Sequence, residues 1–234
     1  MSEKSKDLAV VLVSGGMDSL VSAAIAYEKY ENLAFLHLNY GQKTEERELK
    51  CFHEIADFYK VPKELRKIID ISFLSQIGGS SLTDDNIDVK KFKGEESEEI
   101  PDSYVPFRNT HIISMAVSWC EVVGGKKIYI GAVFEDSSGY PDCRPSYYEA
   151  MNALIKQGTK DGDIEVITPV IHLKKEEIVL KAIELKAPLA SSYSCYARGD
   201  KACGVCDSCA LRLRGFQKAK LEDPIEYDKR PNYL

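Results

Sequence analysis

Residues 7–13 (DLAVVLV) form an unbroken apolar, β-branched run that stops on Ser14-Gly15-Gly16-Met17-Asp18-Ser19. A strand with no polar alternation has to be covered on both faces, as a central strand of a parallel sheet is. The glycines end it, and residues 18–30 then carry Leu20, Val21, Ala24 and Ile25 near a 3.6-residue period, the mark of a helix. Residues 33–39 (LAFLHLN) supply a second strand. Residues 44–59 supply a charged helix with Leu49, Phe52, Ile55, Ala56 and Tyr59 on one side, and residues 64–69 a third short strand. This βαβαβ order implies parallel strands joined by right-handed crossovers.

The same rhythm resumes after residue 108. A helix is predicted over 109–123, a strand over 127–133 (KIYIGAV), a helix over 145–157 and a strand over 166–170. Helices over 174–185 and 208–218 close the chain. The expected architecture is a Rossmann-like α/β fold, a five-stranded parallel sheet with helices on both faces. Residues 70–107 interrupt the pattern with Gly78-Gly79, two prolines and the acidic run at 95–99. So long an irregular stretch is expected to be functional or mobile, with the acidic run as solvated surface.

The chain has 234 residues, enough for one domain with at most a small appendage. Its 44% hydrophobic and 29% charged residues belong to a soluble globular protein and exclude disorder as the main state. No apolar run reaches the roughly 18–20 residues that span a bilayer. The polar residues 1–7 lead straight into a strand, so no signal peptide is expected and a cytoplasmic location is. The net charge of -6 gives no global pull on nucleic acid. A local basic patch of Arg212, Arg214, Lys218 and Lys220 keeps a nucleic-acid-binding module open as an alternative.

The glycine turn carries the first chemistry. Two glycines let the backbone turn sharply and come close to a ligand. The helix behind them offers unpaired amides and a positive dipole end to an anion. Ser14 and Ser19 add hydroxyls. Asp18 would repel phosphate unless it meets a cation, and a bridging Mg2+ resolves that conflict. The plainer alternative is a tight strand-to-helix turn with Asp18 or Ser19 as N-cap. The turn lacks the Walker pattern and the Gly-x-Gly-x-x-Gly of dinucleotide folds.

Four of the seven cysteines, Cys195, Cys203, Cys206 and Cys209, form a C-x7-C-x2-C-x2-C array. Paired C-x2-C knuckles with no nearby histidine suit a closed, structural Zn2+ site. An iron–sulfur cluster or a bare redox dithiol are the alternatives. Cys51 and Cys120 fall in helical patterns and read as core, whereas Cys143 lies in a loop, structural by default and a nucleophile otherwise.

Ligands of open parallel sheets bind beyond the C-terminal strand ends. Three polar stretches fall there: Tyr40-Gly41-Gln42-Lys43, Val105-Pro106-Phe107-Arg108-Asn109, and residues 135–144 (EDSSGYPDCR). Arg108 and Arg144 each offer a planar fork to phosphate or carboxylate, against a surface ion pair as the plain reading. Glu135, Asp136 and Asp142 are suited to bind ring N–H groups of a purine-like base, and Gln42 and Asn109 join the substrate-binding set. The four histidines, His37, His53, His111 and His172, have no partner in sequence and read as satisfied core or surface residues.

SGGMDS resembles the SGGxDS loop of the PP-loop ATP pyrophosphatases, whose fold is adenine nucleotide alpha hydrolase-like. Together with YGQ, VPFRN, SGYPDCR and the terminal SCYARGDKACGVCDSCALRLRGF, the chain resembles the 7-cyano-7-deazaguanine synthase family over nearly its whole length. That resemblance implies conversion of 7-carboxy-7-deazaguanine, ammonia and ATP into a nitrile, through an adenylated carboxylate, an amide and a second activation. It implies ATP contacts along Val13, Ser14, Gly15, Gly16, Met17, Asp18, Ser19 and Leu20, with Arg108 beside the phosphates. Asp18, Arg108 and Arg144 would be catalytic. It implies Mg2+, a zinc on the four cysteines and a homodimer. An ATP-binding unit would span 1–190 and a zinc segment 191–234, with no glutaminase domain, so that ammonia comes from outside the chain. The sequence departs from the family's usual YxQRH at Lys43-Thr44 and from VPGRN at Phe107. Both departures are expected to face the ligand pocket, marking either a subgroup with the same chemistry or a relative using another 7-deazapurine or amine. A tRNA sulfur-transfer enzyme with the same ATP loop remains the enzymatic alternative; it would need a catalytic cysteine pair and a tRNA-binding surface, and loss of chemistry on mutating Cys143 with the metal intact would favour it.

Overall fold

In a computed structural model of the protein, residues 3–94, 100–134 and 139–234 are described. Five parallel strands form one sheet in the order β3-β2-β1-β4-β5. They are β1 (Ser5–Leu12), β2 (Tyr30–Asn39), β3 (Arg66–Asp70), β4 (Lys127–Tyr129) and β5 (Glu165–Ile167). The helices are α1 (Met17–Lys29), α2 (Glu45–Phe58), α3 (Arg108–Val123), α4 (Pro145–Gly158), α5 (Lys175–Glu184) and α6 (Asp207–Lys218).

β1 explains the arrangement. Its Ala9 and Val11, with Val13 just beyond, pack into one core with α1, α2 and α5. Its Val10 and Leu12 pack into a second core with α3 and α4. Alternate side chains therefore enter opposite cores, and a strand buried this way has no use for polar residues on either face. A third, smaller cluster holds the cysteine array, Tyr193, Leu213, Ile225 and Tyr227.

Several boundaries differ from the expected ones, and four of the differences have a local cause. β4 stops at Tyr129 rather than running to Val133. Gly131 lies so close to α1 that a Cβ there would sit 2.5 Å from the Ser19 amide nitrogen, so the chain leaves the ladder to pass that turn. β5 likewise ends at Ile167, yet Ile130 and Phe134 still donate to the carbonyls of Ile167 and Ile171. α1 ends one residue early because Tyr30 is already extended and opens β2. Glu64 and Leu65 form a short 3-10 turn ahead of β3.

The irregular segment after β3 is a strap fastened at several points. Lys43 donates its amide to the Leu82 carbonyl and its ammonium to Ile87, while Phe92 donates to Val205 beside the cysteine array. The acidic run at 95–99 lies outside the described residues. Among the described residues no helix is long and apolar enough to cross a membrane.

Candidate active site

The strand order reverses at β1 and β4, so the crevice of an open sheet opens beyond their C-terminal ends. A cavity of about 270 Å³ occupies that place. Its floor is the turn after β1. Gly15 adopts φ +88°, and a Cβ there would come within 2.8 Å of the Glu48 carbonyl oxygen, so only glycine lets α2 press against the turn. The Ser19 hydroxyl receives the Ser14 amide at 3.2 Å and donates to the Gly16 carbonyl at 2.9 Å. Tyr193, from the segment that leads to the cysteine array, donates its amide to the Gly15 carbonyl at 2.8 Å. The turn is thereby fixed from three sides before any ligand arrives. Gly16 is the N-cap of α1 and carries no side-chain cap, which leaves the first-turn amides for an anion.

Val13, Ser14, Gly16, Met17, Asp18 and Ser19 line the cavity, while Gly15 and Leu20 lie behind it. Asp18 receives a 2.6 Å hydrogen bond from Lys175 Nζ at the start of α5, and its other oxygen is buried without a partner. Lys175 thus supplies a cation beside the anion site, and nothing in the sequence around it pointed there. Its backbone is held close to α6: a Cβ on Gly215 would lie 2.8 Å from Lys175 Cβ.

Arg108 opens α3 and also lines the cavity. Its Nη1 donates to the Tyr40 hydroxyl at 3.2 Å and its guanidinium lies 5.1 Å from the Tyr40 ring centre. Asn109 is buried and joins two of the sequence-predicted loops. Its amide donates to Asp142 Oδ2 at 3.1 Å and its Nδ2 to the Asp142 carbonyl at 3.0 Å. Asp142 is therefore placed behind Asn109, where it caps the first turn of α3, and burial raises its pKa. Gln42 is buried behind Glu48, and Arg144 is the exposed N-cap of α4, so neither lines the cavity. Glu135 and Asp136 lie outside the described residues.

Phe107 and Lys43-Thr44 were expected to face the pocket, and they do not line it. Phe107 is 58% exposed, with its backbone left-handed at φ +60°. Thr44 is buried and donates to Glu48 Oε1 at 2.7 Å.

Sequence reasoning placed Tyr40 and Tyr140 in ligand-facing stretches without a role of their own and missed Glu48 and Tyr196; all four line the cavity. Their signal was weak because tyrosine and glutamate are common on helices and turns. Cys143 also lines the cavity, but burial pushes its thiol up to about 11, so it holds its proton. Thiolate chemistry needs the opposite shift. His37 is buried with Nδ1 at 2.8 Å from the Val13 carbonyl, and burial lowers its pKa, as a core histidine's would be.

The cysteine array is a compact set that could hold a metal ion. The four sulfurs lie within 4.8 Å of one another, and Cys203 and Cys209 are 3.9 Å apart. Backbone amides of Ala197 and Cys203 point at Cys195 Sγ, and those of Val205 and Cys206 at Cys203 Sγ. Hydrogen bonds from Cys195, Cys206 and Cys209 hold the Cys203 thiol far below the ordinary range, whereas Cys206 and Cys209 are pushed up. Four thiolates this close would repel one another, and a bound cation removes that conflict by holding all four in the ionised form. Cys206 is the N-cap of α6 and Cys209 lies in its first turn, so the array anchors that helix.

Arg212 was grouped with a basic surface patch, and that placement is corrected. It is 1% exposed and forks onto Asp223 at 2.7 and 3.0 Å, with Ser192 taking a further bond at 2.9 Å. Lys218 pairs with Glu176 at 3.8 Å. The patch loses its central charge to the interior, and with it most of the case for a nucleic-acid module.

A glycine turn with uncapped helix amides at the switch point of a parallel sheet, beside four cysteines that could hold a metal ion, defines a five-stranded parallel α/β protein with a C-terminal cysteine knuckle. The chain belongs to the family described as "Queuosine biosynthesis protein QueC", matched over residues 8–220. It is 59% identical to the 7-cyano-7-deazaguanine synthase of Chloroherpeton thalassium, covering 97% of this chain and 99% of that one. It is 57% identical to the enzyme of the same name from Chlorobium chlorochromatii, covering 97% and 98%. Among solved structures, a 4-thiouridine synthetase–RNA complex with bound ATP aligns with a TM-score of 0.48 and 19% identity, over 76% of this chain and 40% of that chain. The last likeness is distant, and no site residue is transferred from it.

Proposed function

We propose that this protein is an ATP-dependent carbon–nitrogen ligase that makes 7-cyano-7-deazaguanine from 7-carboxy-7-deazaguanine and ammonia. The observation that carries the reading is that the phosphate turn, Arg108 and a tyrosine-lined recess share one cavity in a QueC-family chain. The first-turn amides of α1 and the hydroxyls of Ser14 and Ser19 hold the ATP phosphates. Arg108, permanently charged, neutralises the pyrophosphate as it leaves. Attack by the substrate carboxylate on the α-phosphate gives the acyl adenylate, and ammonia displaces AMP to form the amide. The amide oxygen then attacks a second ATP, releasing pyrophosphate and one N–H proton, and loss of AMP and the remaining N–H proton leaves the nitrile. Gln42, Asn109, Asp142, Arg144, Glu135 and Asp136 belong to the proposed substrate shell. Gln42 and Asp142 would act there from behind Glu48 and Asn109. No covalent nucleophile is needed, since positioning and charge stabilisation carry the steps.

Mg2+ bound with ATP would supply charge neutralisation at the phosphates, and the unpartnered Asp18 oxygen suits it. The four cysteines suit Zn2+: sulfurs about 2.3 Å from a tetrahedral centre lie roughly 3.8 Å apart. A four-iron, four-sulfur cluster puts each thiolate on a separate iron and spreads them further. The proposal includes a 1–190 ATP-binding unit and a 191–234 metal segment packed on it, a homodimer, a cytoplasmic location and ammonia delivered from outside the chain.

The test is mass spectrometry of products from ATP, ammonium and 7-carboxy-7-deazaguanine. Nitrile with acid-dependent release of pyrophosphate is expected. ATP turnover that ignores this acid but responds to another would overturn the substrate assignment.

A further inference from the structure

Two carboxylates line the cavity among the described residues, Asp18 and Glu48. Asp18 is engaged by Lys175. Glu48 is held differently. Its Oε1 accepts from the Thr44 hydroxyl at 2.7 Å and its Oε2 from Gln42 Nε2 at 3.1 Å. Gln42 is fixed in turn, because its Oε1 accepts the Tyr40 amide at 2.8 Å. Both donors are neutral, each oxygen accepts one bond, and each keeps a further lone pair. The same turn of α2 touches the phosphate loop, since the Glu48 carbonyl is what a Cβ on Gly15 would strike.

The charged and titratable groups around Glu48 are few. Arg108 approaches from α3, Glu45 and Cys51 from its own helix and Tyr40 from the end of β2. Arg108 spends its hydrogen bond on the Tyr40 hydroxyl and makes none to Glu48. Burial therefore dominates and raises Glu48 to about 7, while it raises Tyr40 to about 12. Burial also raises Cys143 to about 11. A carboxyl poised near neutrality beside a phosphate site is a combination characteristic of acid–base groups.

We propose that Glu48 is the catalytic base that removes the nitrogen-bound proton during nitrile formation. This rests on the reaction proposed above. In the activated amide, R–C(=NH)–O–AMP, the N–H electron pair becomes the third carbon–nitrogen bond. The C–O bond breaks, its electrons leave with AMP, and the proton passes to a Glu48 carboxylate oxygen, which returns it to water. The same carboxylate accepts the proton that ammonia sheds on attacking the acyl adenylate. Gln42 and Thr44 are positioning residues in this scheme, holding the carboxylate without neutralising it.

The experiment follows nitrile formation from ATP and the amide of 7-carboxy-7-deazaguanine, so that ammonia ionisation does not enter. The full-length chain, Glu48→Gln and Thr44→Ala are compared across pH, with acid-dependent ATP–pyrophosphate exchange measured in parallel. Wild-type nitrile formation should rise with pH to a plateau, with a midpoint near 7. Glu48→Gln should lose about a hundredfold or more in nitrile formation and lose that limb, with exchange within roughly threefold of wild type. Thr44→Ala, which keeps the carboxyl but removes a bond that favours its charge, should move the midpoint upward. The proposal is overturned if Glu48→Gln keeps the wild-type limb, or if exchange falls in step with nitrile formation, or if Thr44→Ala leaves the midpoint in place. Wild-type protein that shows no acid-dependent exchange overturns the reaction itself, and that outcome is distinct from the other three.

Discussion

At residue scale, Phe107 occupies backbone that few side chains accept. Its φ of +60° lies in the left-handed region, which costs an L-residue about 1–2 kcal/mol relative to glycine. Its ring is exposed, so burial repays little. Phe107→Gly should raise stability by about 0.5–1 kcal/mol after glycine's own chain entropy is counted. Denaturant unfolding reads this, and nitrile formation should be unchanged because Phe107 does not line the cavity. Glu48 makes the opposite bargain. Its folded pKa of about 7 stands above the ordinary 4.5, so the folded state binds more protons than the unfolded one between those values. Stability at this site is then present below pH 4.5 and falls as pH rises towards 7. Glu48→Gln should remove this fall, making the variant's unfolding midpoint less dependent on pH than wild type between about pH 5 and 7. Equal slopes for the two proteins would show that the carboxyl is not desolvated in solution.

At element scale, the crevice depends on a glycine that no motif marked. A Cβ on Gly131 would lie 2.5 Å from the Ser19 amide nitrogen and 2.6 Å from the Asp18 carbonyl carbon. These are backbone atoms of the phosphate turn and cannot rotate away. Gly131→Ala should therefore weaken ATP binding by about tenfold or more, with a stability loss of about 1–3 kcal/mol. Calorimetric titration with ATP analogues and thermal unfolding read the two effects. Gly131 also shows where sequence reasoning stops. β1, the turn at 14–19 and the cysteine array were legible because each is written in consecutive residues with a local physical rule. Gly131 and Lys175 meet Asp18 across more than a hundred residues, and only the packing of β4, α1 and α5 brings them together. Arg212 was misread for the same reason. A helix period cannot reveal that an arginine points inward when its partner, Asp223, lies beyond the end of that helix.

At the scale of the whole molecule, the cysteine knuckle and the proposed ATP site form one mechanical unit. The segment leading into the array carries Tyr193, which holds the Gly15 carbonyl, while Tyr193–Tyr196 and Leu211 form a wall of the cavity. Cys206 and Cys209 start α6, whose Gly215 abuts Lys175, and Lys175 holds Asp18. The tail locks this arrangement through the Arg212–Asp223 pair, the Tyr227 hydroxyl on Asp223, and the Tyr233 hydroxyl on the Gly204 carbonyl. Asp223→Asn leaves the arginine's charge without a full counter-ion in the interior and should cost about 3–5 kcal/mol. Removing the proposed metal acts through the same chain. Chelation under reducing conditions should release one ion per polypeptide and return four thiols that repel one another's ionisation. Hydrogen exchange should then rise in α6, in the tail and at the start of α5, while β1 to β4 keep their protection because their two cores do not include the array. ATP affinity should fall with it, since the turn loses its brace at Tyr193 and Asp18 loses a fixed Lys175. Unchanged ATP binding in the metal-free protein would mean that the sheet and α1 hold the phosphate turn unaided, and that the knuckle serves the protein elsewhere.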